Sequence, residues 1–104
     1  MDTNDKISKQ KRTEERKEKE KEVYKQFKPE TSYIEFVFVE AKTATNVYAV
    51  RNIEHDYWIG IIKWYGGWRK YTFFTNGSIM LSSGCMKDIV KFIETLMNAR
   101  KEIS

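Results

Sequence analysis

Cysteine, histidine and proline are each present once in the 104 residues. A lone Cys85 excludes an intrachain disulfide and a zinc site built from several cysteines. His55 stands alone between Glu54 and Asp56, so a transition-metal site made of paired imidazoles is also excluded. No apolar run approaches the eighteen or so residues that a membrane-crossing helix needs. The first residues are charged and contain no apolar core of a secretory signal, which places the expected location in the cytoplasm of a bacterial or infected host cell. No phosphate-binding loop, dinucleotide fingerprint or nucleophile elbow occurs. Glu35, Glu40, Glu54 and Asp56 have no spacing suited to paired carboxylate chemistry. Cys85 lies near a predicted helix N-terminus, where a thiol is more easily ionised, but no signature of a cysteine enzyme surrounds it. The expectation is a protein that is not an enzyme and uses no cofactor and no metal.

Charge and aromatic side chains are abundant. The chain has 19 Lys+Arg against 15 Asp+Glu, a net charge of +4, which permits nucleic-acid binding without demanding it. Residues 1–30 hold ten cations and eight anions, and residues 31–104 hold nine and seven. Each part is therefore +2, and no tail alone explains the basicity. Composition divides the chain into a charged N-terminal arm, residues 1–30, and a domain, residues 31–104. The arm has good helix formers and favourable pairs such as Glu15–Lys19. It is expected to be a frayed helix or a disordered segment, firmest near Val23, Tyr24 and Phe27, where it can dock, and stopped by Pro29.

The organising stretch is Trp58-Ile-Gly-Ile-Ile-Lys-Trp-Tyr-Gly-Gly-Trp-Arg-Lys-Tyr-Thr-Phe-Phe74, which holds all three tryptophans. Its composition predicts two strands, 57–65 and 68–74, joined at Gly66-Gly67 by a tight primed turn. That register sets Tyr65 opposite Trp68 and Trp64 opposite Arg69. Alternation then places Trp58, Ile62, Trp64, Arg69, Tyr71 and Phe73 on one face. Ile59, Ile61 and Phe74 fall on the other, joined by Ile79 and Leu81 if Asn76-Gly77 turns the chain into a short fifth strand. Strands are also predicted over 33–39 and 45–51. Ser82 or Ser83 can cap a closing helix, whose stripe is Met86, Ile89, Val90, Ile93, Leu96 and Met97.

The predicted fold is α+β: an antiparallel β-meander of four to five strands with one C-terminal helix on one face, preceded by the arm. The aliphatic face is the side expected beneath the helix. The aromatic face is then left for the arm, a second copy in a homodimer, or a ligand. Trp58, Trp64 and Tyr71 are candidates for stacking bases, and Lys63, Arg69 and Lys70 for meeting phosphates. The expected activity is binding of single-stranded nucleic acid. The alternative is a protein-interaction module that uses the same side chains as hot spots to inhibit a host or defence protein.

The run Ile61 to Phe74, with its Trp-Arg-x-Tyr-x-Phe core, and the helix Ile89-Val-Lys-Phe-Ile-Glu-Thr-Leu96 resemble small uncharacterised proteins of phages and mobile elements. The resemblance covers roughly residues 33–97 and implies a phage origin and a shared fold. The order of meander, capped helix and charged arm is also similar to transcriptional coactivators of the positive-cofactor-four type. That similarity implies a curved sheet binding single-stranded DNA as a dimer. The arm departs from that family in being rich in Glu as well as Lys.

Overall fold

The computed structural model describes residues 3–103. The elements are α1 (Thr3–Gln26), β1 (Ile34–Ala41), β2 (Asn46–Asn52), β3 (Tyr57–Tyr65), β4 (Lys70–Thr75) and α2 (Ser83–Glu102). The strands form one antiparallel sheet in the order β1-β2-β3-β4, so the α+β meander is as expected. No strand forms over residues 78–81; Ile79 and Leu81 instead pack against the core from an irregular connection.

The sheet buries the opposite face from the one expected. Ile34, Phe36 and Phe38 of β1 align with Tyr48 and Val50 of β2, Ile62 and Trp64 of β3, and Tyr71 and Phe73 of β4. This face packs beneath α2 through Ile89, Phe92 and Leu96. The reason lies outside the hairpin. The other face carries Glu35, Arg51 and Lys63 among its apolar residues, and covering those with a helix would strip charged groups of water. The aromatic face runs across all four strands with no charge. Phe92 sits at its centre, stacked on Phe36 with ring centroids 4.2 Å apart and edge-on to Tyr48 at 5.2 Å. Such aromatic pairs add about 0.5–1.5 kcal/mol each beyond area burial.

The hairpin register also differs from the expected one. Trp64 pairs with Tyr71 and Tyr65 with Lys70, leaving the four-residue loop Gly66-Gly67-Trp68-Arg69. The loop closes with Trp68 N–H donating to the Tyr65 carbonyl at 3.2 Å and Arg69 N–H to the Gly66 carbonyl at 3.3 Å. Its left-handed residue is Arg69, with φ 52°, and neither glycine of the loop has positive φ. The shift is by two residues, so it preserves which β3 and β4 side chains share a face. A bulge does not. Val50 pairs with Gly60 but Arg51 pairs with Trp58. The extra residue, Ile59, is fully buried, and Trp58 is turned to the face opposite Trp64. Gly60 is fixed by close approach: a Cβ there would stand 2.2 Å from the Phe74 carbonyl oxygen and 2.8 Å from the Phe73 ring.

Ser82 caps α2, its hydroxyl accepting from Cys85 N–H at 3.2 Å. The buried stripe of α2 is Cys85, Asp88, Ile89, Phe92, Leu96 and Ala99. Met86 and Val90, expected in the core, are about half exposed. The buried thiol of Cys85 belongs to the hydrophobic core, and His55 lies in an exposed turn.

The second half of α1 docks on the same face as α2. Val23, Tyr24 and Phe27 pack against the core, at the place where the arm is expected to dock. The less legible contact is Glu20, fully buried in a helix of Lys and Glu. Its carboxylate accepts from Arg100 of α2 at 2.9 Å and from the Tyr71 hydroxyl at 2.9 Å. That hydroxyl accepts in turn from Asn46 N–H at 3.0 Å, and the Asn46 carboxamide donates to the Tyr48 hydroxyl at 3.1 Å. Each polar group carried under the helices is thus partnered, which is what makes its burial tolerable. Arg100 also lies over the Trp64 ring at 4.5 Å. At the other end, Asp88 ties α2 to the segment after α1, accepting from Glu30 N–H at 2.8 Å, Thr31 N–H at 3.0 Å and the Thr31 hydroxyl at 2.7 Å.

Candidate nucleic-acid interface

The face left open by both helices carries a row that the register defines: Val37, Ala49, Ile61 and Phe74, one from each strand. On one side of this row Glu35, Arg51 and Trp58 are aligned. On the other side Lys63 is paired with Thr72, and Tyr65 follows toward the tip. Alternation and the bulge at Ile59 together produce this arrangement. The indole of Trp58 is 51% exposed and that of Trp68 63%, so both rings can meet a partner.

The six expected contact residues are divided by this geometry. Trp58 and Lys63 are exposed on the open face, and Arg69 and Lys70 are exposed at the hairpin tip. Trp64 and Tyr71 are not available. They pack edge-on at 5.5 Å on the covered face, where Tyr71 is 1% exposed and Trp64 lies under Arg100. Burial pushes the Tyr71 phenol well above its ordinary range, and the adjacent Glu20 charge pushes it further. It therefore remains a neutral hydroxyl serving the internal network, and no base can reach its ring.

Three side chains outside the expected set lie on the open face and at its tip. Tyr65 and Trp68 meet edge-on with centroids 5.0 Å apart, and Tyr65 also meets Phe74 at 6.4 Å. Lys63 lies over the Phe74 ring at 4.9 Å. The aromatic chain from Trp68 through Tyr65 to Phe74 thus runs from the tip down the open face, with cations beside it. The signal that identifies this face is in β1 and β2 rather than in the hairpin. Glu35 and Arg51 form an ion pair at 2.9 Å, and Arg51 is also bound by Asp56. A strand face bearing such a pair is a poor candidate for burial.

The electrostatics of the hairpin are one-sided. No Asp or Glu occurs between Asp56 and Asp88, whereas Lys63, Arg69, Lys70 and Lys87 lie in that interval. Arg51, by contrast, is held by two carboxylates, which raise its pKa further and leave it little net charge to offer. The cationic end of the open face is accordingly the tip. Arg69 adopts a left-handed conformation there, which costs a residue with a Cβ roughly 1 kcal/mol. Among the described residues, no group of three or more His, Cys, Asp or Glu side chains is arranged to hold a metal ion. No described helix is long and apolar enough to cross a membrane.

No family profile and no solved structure matches the chain. Among curated proteins it is similar to a phage protein, the "Uncharacterized 9.3 kDa protein" of Acholeplasma phage L2, at 37% identity over 74 residues. The match covers 69% of this chain and 94% of the relative. At that identity and over nearly the whole of the relative, the chain belongs to the family of this small phage protein.

Proposed function

We propose that the protein is a non-enzymatic module that binds single-stranded nucleic acid through the open sheet face and the hairpin tip. The observation that carries this reading is the pairing of exposed rings with unopposed cations. Tyr65 and Trp68 are exposed toward the tip, where Lys63, Arg69 and Lys70 are exposed too and the hairpin contains no carboxylate, and Trp58 is exposed at the opposite end. Bases stack on such rings whatever their sequence, for about 1–3 kcal/mol per base, while the cations meet phosphates. Arg69 supports the reading in a second way. It occupies the one loop position where glycine would be unstrained, although two glycines are adjacent in the sequence. Strain of this kind is retained where the side chain is wanted.

Titration of the protein with short oligonucleotides, followed by tryptophan fluorescence at several salt concentrations, tests the proposal. The expected result is quenching that weakens steeply as salt rises, because phosphate contacts release counterions. Absence of quenching at low salt, or a response indifferent to salt, would refute it.

A protein partner is the second reading. What favours it is the apolar row Val37, Ala49, Ile61 and Phe74, which phosphates would not use, flanked by Trp and Tyr side chains suited to interface hot spots. A stoichiometric protein retained from nuclease-treated host lysate, lost in a Trp58→Ala variant and unaffected by added oligonucleotide, supports this reading over the first.

A further inference from the structure

The open face includes a cleft of about 410 Å³ at the end of the hairpin away from its tip. Ala49, Ile61 and Phe74 are aligned across three strands there, Trp58 stands beyond the bulge, and Thr75 and Asn76 complete the rim. The Asn76 backbone N–H donates to the Ile59 carbonyl at 2.9 Å, and its carboxamide reaches the Trp58 carbonyl at 3.4 Å. Asn76 is thereby held at the mouth of the cleft rather than left on a free loop. This is a different place from the Tyr65–Trp68 pair, and its chemistry differs. It offers a flat apolar surface, one indole, one hydroxyl and one carboxamide, and none of its lining residues is charged.

Resting on the reading above, we infer that this cleft holds one unstacked nucleobase of the bound strand, packed against Trp58 and met along its edge by Asn76. A planar heterocycle fits the lining because its faces are apolar and its edge carries donors and acceptors. A carboxamide supplies one of each. Of the neighbouring charges, Lys63 lies over the Phe74 ring at 4.9 Å, and the carboxylates nearest Trp58 across the sheet, Glu35 and Asp56, are both engaged by Arg51. An aliphatic chain would make no use of the Thr75 hydroxyl or of the Asn76 carboxamide oxygen. A free anion would find no cation within the lining.

The test compares two strands of equal length, one carrying bases throughout and one abasic, bound to the full chain and to its Trp58→Ala, Asn76→Ala and Trp68→Ala variants. Trp58, Trp68 and Asn76 are all exposed, and unchanged melting curves would establish that each variant is folded. Trp58→Ala is expected to weaken binding of the base-bearing strand by about tenfold. Asn76→Ala is expected to weaken it by about fivefold, and both variants should leave the abasic strand as the wild type binds it. If wild type binds the base-bearing strand and both cleft variants match it while Trp68→Ala does not, the cleft is idle and only this inference falls. If wild type binds neither strand, the parent reading falls and takes the inference with it.

Discussion

The two faces of the β3–β4 hairpin are built from similar residues and have opposite fates. One presents Ile62, Trp64, Tyr71 and Phe73, and the other Trp58, Ile61, Lys63, Tyr65 and Phe74. Within the hairpin the difference is small, since each face has two or more large rings. Across the sheet it is decisive. β1 and β2 add Ile34, Phe36, Phe38, Tyr48 and Val50 to the first face, but Glu35 and Arg51 to the second. A helix settles on the side where the sum over all strands contains no charge. The comparison teaches that the fate of a ring is decided by the strands beside it as much as by the turn that orients it.

Substitutions on the covered face should act on stability, and those on the open face on binding. The largest effect is expected for Phe92→Ala. This side chain is fully buried and touches Phe27, Phe36 and Tyr48, so its removal should cost about 3–5 kcal/mol in urea unfolding. A loss below about 1 kcal/mol would mean that the two helices do not rest on the aromatic face.

Glu20→Ala comes next, with an expected loss of about 3 kcal/mol, because Arg100 and Tyr71 would lose their common partner under the helices. The pH dependence sharpens this prediction. Burial pushes the Glu20 carboxyl above its ordinary value, and the hydrogen bond and charge of Arg100 and the bond from Tyr71 only partly offset it. The folded chain therefore holds this proton more tightly than the unfolded chain. The corresponding stability is fully present below about pH 4.5 and is lost as pH rises through the folded value. Asp88 runs the other way. Burial alone would raise it, but the bonds from Thr31 and from the Glu30 and Thr31 amides outweigh burial and hold it low. Its contribution is present above about pH 3.8 and is lost on acidification through the lower folded value. Urea unfolding of Glu20→Gln against wild type between pH 4.5 and 7 should show the variant gaining relative stability as pH rises. A constant difference would exclude a raised Glu20.

Arg69→Gly should raise stability by less than about 1 kcal/mol, since relief of the left-handed backbone is partly offset by glycine's freedom in the unfolded chain, while weakening oligonucleotide binding. A change of the same sign in both measurements would disconnect the strain from function. Smallest in stability is Trp68→Ala, within about 0.5 kcal/mol of wild type for so exposed a residue. Its oligonucleotide affinity should nonetheless drop, by about 1 kcal/mol or more.

Much of the fold is legible in the sequence. Alternation over residues 57–65, the serine before α2 and the apolar Val23, Tyr24 and Phe27 place the elements to within a few residues. Which face is buried is harder to read, because the deciding charges, Glu35 and Arg51, stand outside the hairpin, and two local features of the hairpin are hidden as well. Gly66-Gly67 suggests a two-residue turn, while the loop actually closes over four residues, with Arg69 taking the left-handed position. The bulge at Ile59 leaves no mark on composition, yet it moves Trp58 from one face to the other. Glu20 is the least legible residue of all. Nothing distinguishes it from the five other glutamates of the first thirty residues, because the groups that make its burial tolerable, Tyr71 and Arg100, are 51 and 80 positions away.

That last separation has a bearing on how the chain is made. α2 follows α1 and all four strands in the chain, so until it is made the carboxylate of Glu20 lacks Arg100 and the aromatic face lacks Phe92. A nascent or prematurely terminated chain that stops short of α2 would display Phe36, Tyr48 and Trp64 to solvent as sticky surface, a natural target for chaperones and proteases.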